Sequence, residues 1–164
     1  MERFEQIYAE HRDAVRAFVR RRAPDAVVDD VVSETFLVCW RKLDRVPAEP
    51  LPWLYAVARK TLANQRRRLE RAERLGGAAS ASDVAEPAPV GDTALATAFA
   101  ALSERDREVL RLVAWEGLSL GQAAIVLGCS AAACRVRYHR AKTRLARRLE
   151  AAANFRPDLK GATR

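Results

Sequence analysis

Six basic residues are concentrated in one short segment near the end of the chain. They are Arg135, Arg137, Arg140, Lys142, Arg144 and Arg147. Guanidinium and ammonium groups bind phosphates, and an arginine can also donate two hydrogen bonds to the edge of a guanine. The segment therefore has the chemistry to bind nucleic acid, although an ordinary solvated helix can carry the same charges.

Apolar residues recur every three or four positions through this segment, which predicts an amphipathic helix. Its inner stripe consists of Cys134, Tyr138, Ala141, Leu145 and Leu149. Small side chains at the front of such a helix let its backbone approach a major groove, while the arginines behind them reach phosphates or base edges. The residues expected to face DNA are Ser130, Ala131, Ala132, Ala133, Arg135, Val136, Arg137, Arg140 and Arg144.

A shorter helix is predicted immediately before the basic one. Ser119 and Gln122 have the spacing of a capping box, Gly128 can supply the left-handed turn that follows, and Ser130 can cap the next helix. A helix, a turn containing glycine and a basic helix together form the helix-turn-helix pattern. Ahead of it, Ser103 and Asp106 predict the start of another helix.

The overall composition is consistent with a partner of dense negative charge. The 164 residues carry a formal net charge of +8, and the isoelectric point is near 10.1. Nucleic acid is the first candidate for such a partner and an anionic membrane surface the second. Neither a secretory signal nor an apolar run of about 20 residues is present, so we expect a cytoplasmic protein without membrane insertion.

The residues that could support catalysis or metal binding are few. The three cysteines are Cys39, Cys129 and Cys134; they have no CxxC spacing and are interpreted as thiols packed in the core. Phosphate-binding GxxxxGK and metal-binding HExxH motifs are absent. We therefore expect no enzyme, no catalytic residue, no metal, no cofactor and no small-molecule substrate.

The first part of the chain also shows helical periodicity, and β-strand alternation is absent, so the predicted fold class is all-α. One helix is expected from Phe4 to about Arg22 and a second from about Asp25 to Leu43. The residues of the second helix expected to face inward are Val28, Val31, Val32, Thr35, Phe36, Cys39 and Trp40. A proline-rich loop follows, and a third helix begins near residues 51–53.

The segment of residues 76–92 divides the chain into two helical units. It is rich in small residues, proline and glycine and lacks large apolar side chains, which predicts a flexible linker. The predicted organisation is a three-helix domain at residues 1–75, the linker, a four-helix domain with the helix-turn-helix at 93–150, and a tail at 151–164.

Three segments in this order resemble the bacterial extracytoplasmic-function (ECF) sigma factors. The segment "VDDVVSETFLVCW" resembles the family's "DLVQETFLRAW" pattern. The segment "PWLYAVARKTLANQRRR" is similar to "AWLYRIARNLAIDRLRR", and "LSERDREVLRLVAWEGLSLGQAAIVLGCS" to "LPERQREVLLLRYLEGLSYEEIAEILGIS". The resemblance covers roughly residues 4–149.

The resemblance implies a factor that binds core RNA polymerase and directs it to promoter DNA. The first domain would recognise and open the minus-ten element, the second would read the minus-thirty-five element, and a separate anti-sigma factor would restrain the protein. The implied polymerase-binding residues are Asp29, Asp30, Ser33, Glu34 and Leu37. The implied minus-ten residues are Trp53, Tyr55, Arg59, Lys60, Asn64, Arg66, Arg67 and Arg68.

Two details of the match depart from the family's usual pattern. Ser33 stands where the family usually has glutamine, which shortens that contact with the polymerase. The loop of residues 43–50, where the family captures a flipped base, is proline-rich and has no aromatic residue. The sequence therefore does not indicate which base this loop prefers. The alternative functions are a stand-alone dimeric helix-turn-helix regulator and an enzyme that acts on nucleic acid.

Overall fold

The computed structural model describes residues 1–76 and 93–154. These residues form seven α-helices and one turn of 3-10 helix, with no strand among them, so the all-α prediction is confirmed. Residues 77–92, which hold nearly all of the predicted linker, lie outside the described residues, as do residues 155–164 of the predicted tail.

The first three helices pack against one another around one core. They are α1 (Glu2–Arg20), α2 (Asp25–Arg41) and α3 (Pro50–Gly76), and a single 3-10 turn at Leu43–Arg45 lies between the last two. Each helix contributes one apolar stripe, as the periodicity predicted. The innermost residues are Val15, Phe18, Val19, Val28, Val31, Cys39, Leu54 and Ala58. Pairwise packing of three amphipathic faces buries these residues.

One residue of the α2 stripe was placed wrongly from the sequence. Trp40 was expected to face inward, but it is 47% exposed and meets the edge of Phe4, with 5.1 Å between ring centroids. The reason is the 100° step of the helix, which carries Trp40 one position past the buried Cys39 and out of the core stripe. The aromatic side chains of Trp40, Phe4 and Tyr8 therefore form an apolar rim at this end of the helices.

The remaining four helices surround a second core. They are α4 (Thr93–Ala100), α5 (Glu104–Ala114), α6 (Leu120–Leu127) and α7 (Ala131–Asn154). The longest helix, α7, packs against the other three through Cys134 and Ala141, both fully buried. The inner stripe predicted for this helix is confirmed at these two positions, and Tyr138 and Leu145 lie at its edge.

The predicted caps and turns of this second group are confirmed. Ser119 and Gln122 form a complete capping box at the start of α6, and Gly128 ends that helix with φ of +65°. A residue with a Cβ is strained at this φ, so glycine is favoured there. Ser130 caps α7, because its Oγ accepts a hydrogen bond of 3.1 Å from the Ala133 amide. This geometry fixes the angle between α6 and α7.

The two groups of helices contact each other, which the sequence did not predict. Helix α3 packs against α6, and Gln122 Nε2 donates a hydrogen bond of 3.3 Å to Glu49 Oε2. Near the end of α1, Arg21 and Arg22 form ion pairs with Glu108 and Glu116 of the second group. The structure therefore shows the two helical groups docked together.

Candidate functional site

The exposed face of α7 is the basic surface expected from the sequence. Helical spacing places Ala132, Val136 and Arg140 opposite the buried Cys134 and Ala141. The front of this face consists of the exposed residues Ser130, Ala131, Ala132, Ala133, Arg135 and Val136, and Arg140 follows. Arg137 lies at the flank and is half-buried. A surface of small side chains followed by cations can enter a major groove.

Arg144 has a different environment from the other predicted arginines of α7. Its Nη1 donates a hydrogen bond of 2.7 Å to Asp106 Oδ2, and the Asp106 side chain is only 7% exposed. This ion pair ties the middle of α7 to the first turn of α5. Arg144 is thus engaged within the protein, whereas Arg140 and Arg147 have no side-chain partner among residues 1–76 and 93–154.

The outer face of α3 is a second basic surface. Lys60, Asn64 and Arg68 are exposed along it. Arg67 is also exposed and donates a hydrogen bond of 2.6 Å to the side chain of Asn64. Four of the eight predicted minus-ten residues therefore share one exposed surface, while Arg59 is exposed on a different side of α3, half a turn around the helix from Arg68.

The other three predicted minus-ten residues differ from these five exposed ones. Arg66 is turned towards α1, where its Nη2 donates a hydrogen bond of 2.8 Å to the Arg22 carbonyl oxygen. Trp53 is half-buried at the start of α3. Tyr55 was expected at the minus-ten site, but it lies in the core. It is 3% exposed, and its ring stacks on Phe18 at a centroid distance of 4.4 Å. An apolar ring two positions after Trp53 points to the other side of the helix.

The Tyr55 phenol lies in a low-polarity environment close to a carboxylate. Burial and, to a smaller extent, the negative charge of Glu116 together raise its pKa to about 12. Arg21 and Arg22 act against this shift but do not cancel it. The phenol therefore stays protonated well above the pH at which a free tyrosine ionises.

An exposed acidic face lies on α2, where the polymerase-binding residues were predicted. Asp29, Asp30, Ser33, Glu34 and Leu37 are all exposed and fall within a single arc of the helix. Asp29 is paired with Arg16 at 3.0 Å. Asp30 and Glu34 have no ion pair or side-chain hydrogen bond with the rest of the described chain.

Leu37 and Trp40 add apolar area to this acidic face, with exposures of 40% and 47%. The sequence pattern missed Trp40, because an aromatic residue at the edge of an apolar stripe is indistinguishable from a core residue by spacing alone. The pair of aromatic residues Phe4 and Tyr8, four positions apart on α1, was the available signal for an aromatic rim beside Trp40.

An open cavity of about 720 Å³ separates the acidic face of α2 from the basic face of α3. Asp30 and Glu34 line one wall, and Trp53, Lys60 and Asn64 line the other. Three further cations surround the cavity: Lys42, Arg45 and Arg68. Lys42 was not predicted for any site from the sequence, and Arg45 was included only as part of the loop of residues 43–50. The groove thus combines an aromatic ring, an amide and four cations with two carboxylates.

The loop of residues 43–50 is held in place from the first helix. Arg3 donates hydrogen bonds to two carbonyl oxygens, those of Leu43 at 2.9 Å and Val46 at 2.6 Å. Val46 is itself buried, at 4% exposure. These contacts fix the loop at the end of the groove where Arg45 reaches it.

The thiols are not candidates for chemistry. Cys39 and Cys134 are fully buried, and burial raises the pKa of both thiols; neighbouring Cys129 raises that of Cys134 further. A protonated, buried thiol is a poor nucleophile and metal ligand. The prediction that these two cysteines are core residues is confirmed, while Cys129 is half-buried.

None of the described helices combines the length and the apolar composition that a bilayer crossing requires. Within residues 1–76 and 93–154, no three His, Cys, Asp or Glu side chains converge in a way that would hold a metal ion.

Two family models match the chain, one for each group of helices. Sigma-70 region 2 matches residues 7–72, and sigma-70, region 4 matches residues 92–145. Among curated proteins, RNA polymerase sigma factor CnrH of Cupriavidus metallidurans is 34% identical, over 90% of this chain and 87% of the relative. The ECF RNA polymerase sigma factor SigF of Caulobacter vibrioides is 33% identical, over 84% and 80%.

Solved structures of sigma factors have the same fold. The sigma factor RpoE of Bartonella quintana, in complex with the anti-sigma factor NepR, has a TM-score of 0.69 and 26% identity over 92% of this chain and 98% of that one. CnrH in complex with the cytosolic domain of CnrY has a TM-score of 0.60 and 30% identity, over 90% and 88%. With region 2 and region 4 in order, and relatives that match nearly end to end, the chain belongs to the ECF sigma factors, which direct RNA polymerase to initiate transcription at specific promoters.

Proposed function

We propose that the two groups of helices divide the work of a sigma factor at the residue level. Residues 1–75 bind core RNA polymerase and open the minus-ten element, and residues 93–150 read the minus-thirty-five element. The observation that carries this proposal is the separation of charge: the free carboxylates of Asp30 and Glu34 lie on α2, while the cations lie on α3 and α7. DNA is repelled by the first surface and attracted by the other two.

In the second unit, the front of α7 enters the major groove. Ser130 and the three alanines after it permit close approach, Val136 can contact a thymine methyl group, and Arg140 can reach a base edge. Arg135 and Arg137 flank this line and bind phosphates or neighbouring bases. Arg144 acts indirectly, because its ion pair with Asp106 holds α7 against α5.

In the first unit, the groove between α2 and α3 receives the opened strand. An unstacked base can rest on the ring of Trp53 with its polar edge towards Asn64, while Lys60 and Arg68 neutralise adjacent phosphates. Arg67 extends the basic track along α3, and Arg59 adds a cation on another side of the helix. Arg45, on the loop of residues 43–50, closes the end of the groove.

The polymerase contact lies on the exposed face of α2, at the border of the groove. Asp30 and Glu34 supply unpaired negative charge, and Leu37 and Trp40 supply apolar area next to it. This combination suits a basic, partly apolar protein surface. Asp29 and Ser33 lie on the same face. Catalysis then belongs to the polymerase, and we infer a cytoplasmic, non-enzymatic role for this chain.

A separate anti-sigma protein is the proposed restraint. Two sigma factors with the same fold are seen in complexes with such partners, NepR and the cytosolic domain of CnrY. An inhibitor that covers the acidic face of α2 and the basic face of α7 would block polymerase and DNA together. The shared fold and the exposure of both faces support this inference.

Run-off transcription on two forms of one promoter tests the division of work. On duplex DNA, the double variant Lys60→Ala with Arg68→Ala should lose most initiation by holoenzyme. On a template with a mismatched, pre-opened minus-ten bubble, this variant should recover most of its activity, because strand opening is already done. The matched double variant Arg140→Ala with Arg135→Ala should not recover. Equal recovery by both double variants, or by neither, would contradict the proposed division.

A further inference from the structure

The loop of residues 43–50 depends on another part of the protein for its shape. It contains one turn of 3-10 helix, and the backbone hydrogen bond that ends this turn, from the Val46 amide to the Leu43 carbonyl oxygen, is long at 3.4 Å. Pro47 and Pro50 lack the amide hydrogen that could close a further turn. The backbone bonds of the loop are therefore too weak to fix its position alone.

Arg3, in the first turn of α1, supplies the missing contacts. Its Nη1 donates a hydrogen bond of 2.9 Å to the Leu43 carbonyl oxygen, and its Nη2 donates one of 2.6 Å to the Val46 carbonyl oxygen. Carbonyl groups at the end of a helical turn have few partners inside the turn, and a cation there also offsets their partial negative charge. Arg3 therefore caps this turn from 40 positions earlier in the chain.

Two features hold the cap in place. Val46 precedes Pro47, which favours the extended conformation observed, with φ of −70° and ψ of 126°, so the Val46 carbonyl oxygen has a fixed direction. Phe4 packs against the edge of Trp40, with 5.1 Å between ring centroids, and keeps the start of α1 beside the end of α2. In the described part of the chain the Arg3 guanidinium has no carboxylate partner, so it is committed to the loop.

The capped turn carries Arg45, which lines the end of the groove between α2 and α3. The Arg45 side chain is exposed and forms no ion pair or side-chain hydrogen bond with any residue that the structure describes. A guanidinium can donate two hydrogen bonds to the edge of a base, but only from a backbone held at the right distance and angle. On a loop of variable position, the same cation would still neutralise a phosphate but would not select a base.

We propose that Arg3 is a positioning residue for base selection at the minus-ten element. By capping the turn at Leu43–Arg45, it holds the Arg45 guanidinium at the end of the groove, where that group donates to the edge of an unstacked base. Arg3 acts through the loop and not by touching DNA. This inference rests on the proposed function, because the groove selects a base only if it receives the opened strand.

Base discrimination by holoenzyme measures this role. A panel of otherwise identical promoters carries each of the four bases at each minus-ten position of a mismatched, pre-opened bubble, and run-off transcription gives the ratio between the best and the worst base. Arg45→Ala should lower this ratio about tenfold at one position, as expected for the loss of a two-bond contact to a base. Arg3→Ala should lower the ratio at the same position about fivefold and change the other positions little.

Two variants separate positioning from a general loss of structure or charge. Arg3→Lys keeps a cation that can donate to a carbonyl oxygen, so it should recover about half of the discrimination that Arg3→Ala loses. Arg12→Ala is the matched control, since Arg12 is also an exposed arginine of α1, pairs with the adjacent Asp13 at 3.6 Å and should leave every ratio unchanged. All variants should bind core polymerase with the affinity of the unaltered chain, as measured by fluorescence anisotropy.

A double-variant cycle tests whether Arg3 acts through Arg45. The combined variant Arg3→Ala with Arg45→Ala should discriminate no worse than Arg45→Ala alone, because the cap has no effect on selection once the selecting group is gone. If the two losses multiply instead, Arg3 acts independently of Arg45 and the inference is wrong. Wild-type discrimination in Arg3→Ala, or an equal loss in Arg12→Ala, would also overturn it.

The outcomes distinguish this inference from the proposed function. If the unaltered holoenzyme initiates nowhere, or shows no base preference at any minus-ten position, the proposed function is wrong and the role of Arg3 falls with it. If the unaltered holoenzyme discriminates and Arg45→Ala discriminates equally well, the function stands, but Arg45 does not select the base and the inference is overturned.

Discussion

Helices α3 and α7 are both long and rich in arginine, yet their basic faces are built differently. The α7 face stands alone on the surface, with small side chains at its front and cations behind. The α3 face forms one wall of a groove, and the opposite wall carries Asp30 and Glu34. Equal charge therefore does not mean equal function, because the surroundings decide which form of DNA can approach.

An open basic face accepts the wide, rigid surface of a double helix. A groove with carboxylates on its far side repels a duplex, whose two phosphate backbones would meet both walls, but can accept a single strand whose phosphates follow the basic wall. In the proposed function, the part of the Trp53 ring that lines the groove would stack on an unstacked base. This difference supports the proposal that α7 reads duplex DNA and that α3 opens the strands.

The largest expected effect concerns base reading by α7. Arg140→Ala should cost about 1–3 kcal/mol in binding of holoenzyme to its preferred upstream element, and little on a scrambled element. Arg147→Ala is the control: it lies on the same face two turns further along, and should weaken both elements equally. Footprinting with the two DNA sequences measures this. Equal losses for Arg140→Ala on both DNA sequences would mean that Arg140 does not read bases.

A somewhat smaller effect is expected for the acidic wall. Replacing Asp30 by Asn together with Glu34 by Gln should weaken binding to core polymerase about tenfold, or about 1.4 kcal/mol, because two charged partners are lost. Asp29→Asn should have less effect, since Asp29 is already paired with Arg16. Fluorescence anisotropy with labelled protein gives the affinities. If Asp29→Asn weakened binding more than the double variant, the polymerase contact would have to lie at the other edge of α2.

Within α7, Arg144 should behave as a structural residue. Arg144→Ala leaves the nearly buried Asp106 carboxylate without its cation and should lower the free energy of unfolding by about 1 kcal/mol. Arg147→Ala should change it by less than about 0.5 kcal/mol, as is usual for exposed side chains. Urea unfolding followed by circular dichroism distinguishes them. Identical stabilities would mean that the ion pair contributes nothing to the position of α7.

The last effect appears only at high pH and concerns Tyr55, the α3 residue that lies in the core. Its folded pKa of about 12 exceeds the unfolded value of 10, so between these values the folded state keeps a proton that the unfolded state loses. Stability should therefore fall as the pH rises from 10 to 12, and Tyr55→Phe should fall less steeply. Absorbance of tyrosinate at high pH should show one group titrating near pH 12 that disappears in Tyr55→Phe. If a group that titrates near pH 12 remained in Tyr55→Phe, it would contradict the assignment of this pKa to the buried Tyr55.

The sequence predicted the parts of this molecule that depend on local rules. The caps at Ser103, Ser119 and Ser130 and the turn at Gly128 follow from hydrogen bonding and φ within a few residues, and all four are present. The helical periodicity likewise located Cys134 and Ala141 in the core. These features need no knowledge of distant parts of the chain.

The errors and omissions all involve partners far away in sequence. Whether Trp40 is covered depends on where α1 begins beside α2, and Tyr55 is buried where its ring stacks on Phe18. The ion pairs of Arg22 with Glu108 and Glu116 join residues more than 80 positions apart, which no local pattern encodes. The groove between α2 and α3 is similarly a property of packing.

The most direct test of the central claim is to add the purified full-length chain to core RNA polymerase, isolate the complex by size-exclusion chromatography and use it for run-off transcription over a pool of genomic fragments. We expect a one-to-one complex with core polymerase that starts transcripts at a small set of defined sites. These sites should share similar sequences about ten and about thirty-five base pairs upstream. Core alone should start at none of them. A chain that instead binds palindromic DNA as a dimer, without associating with core polymerase, would contradict the account.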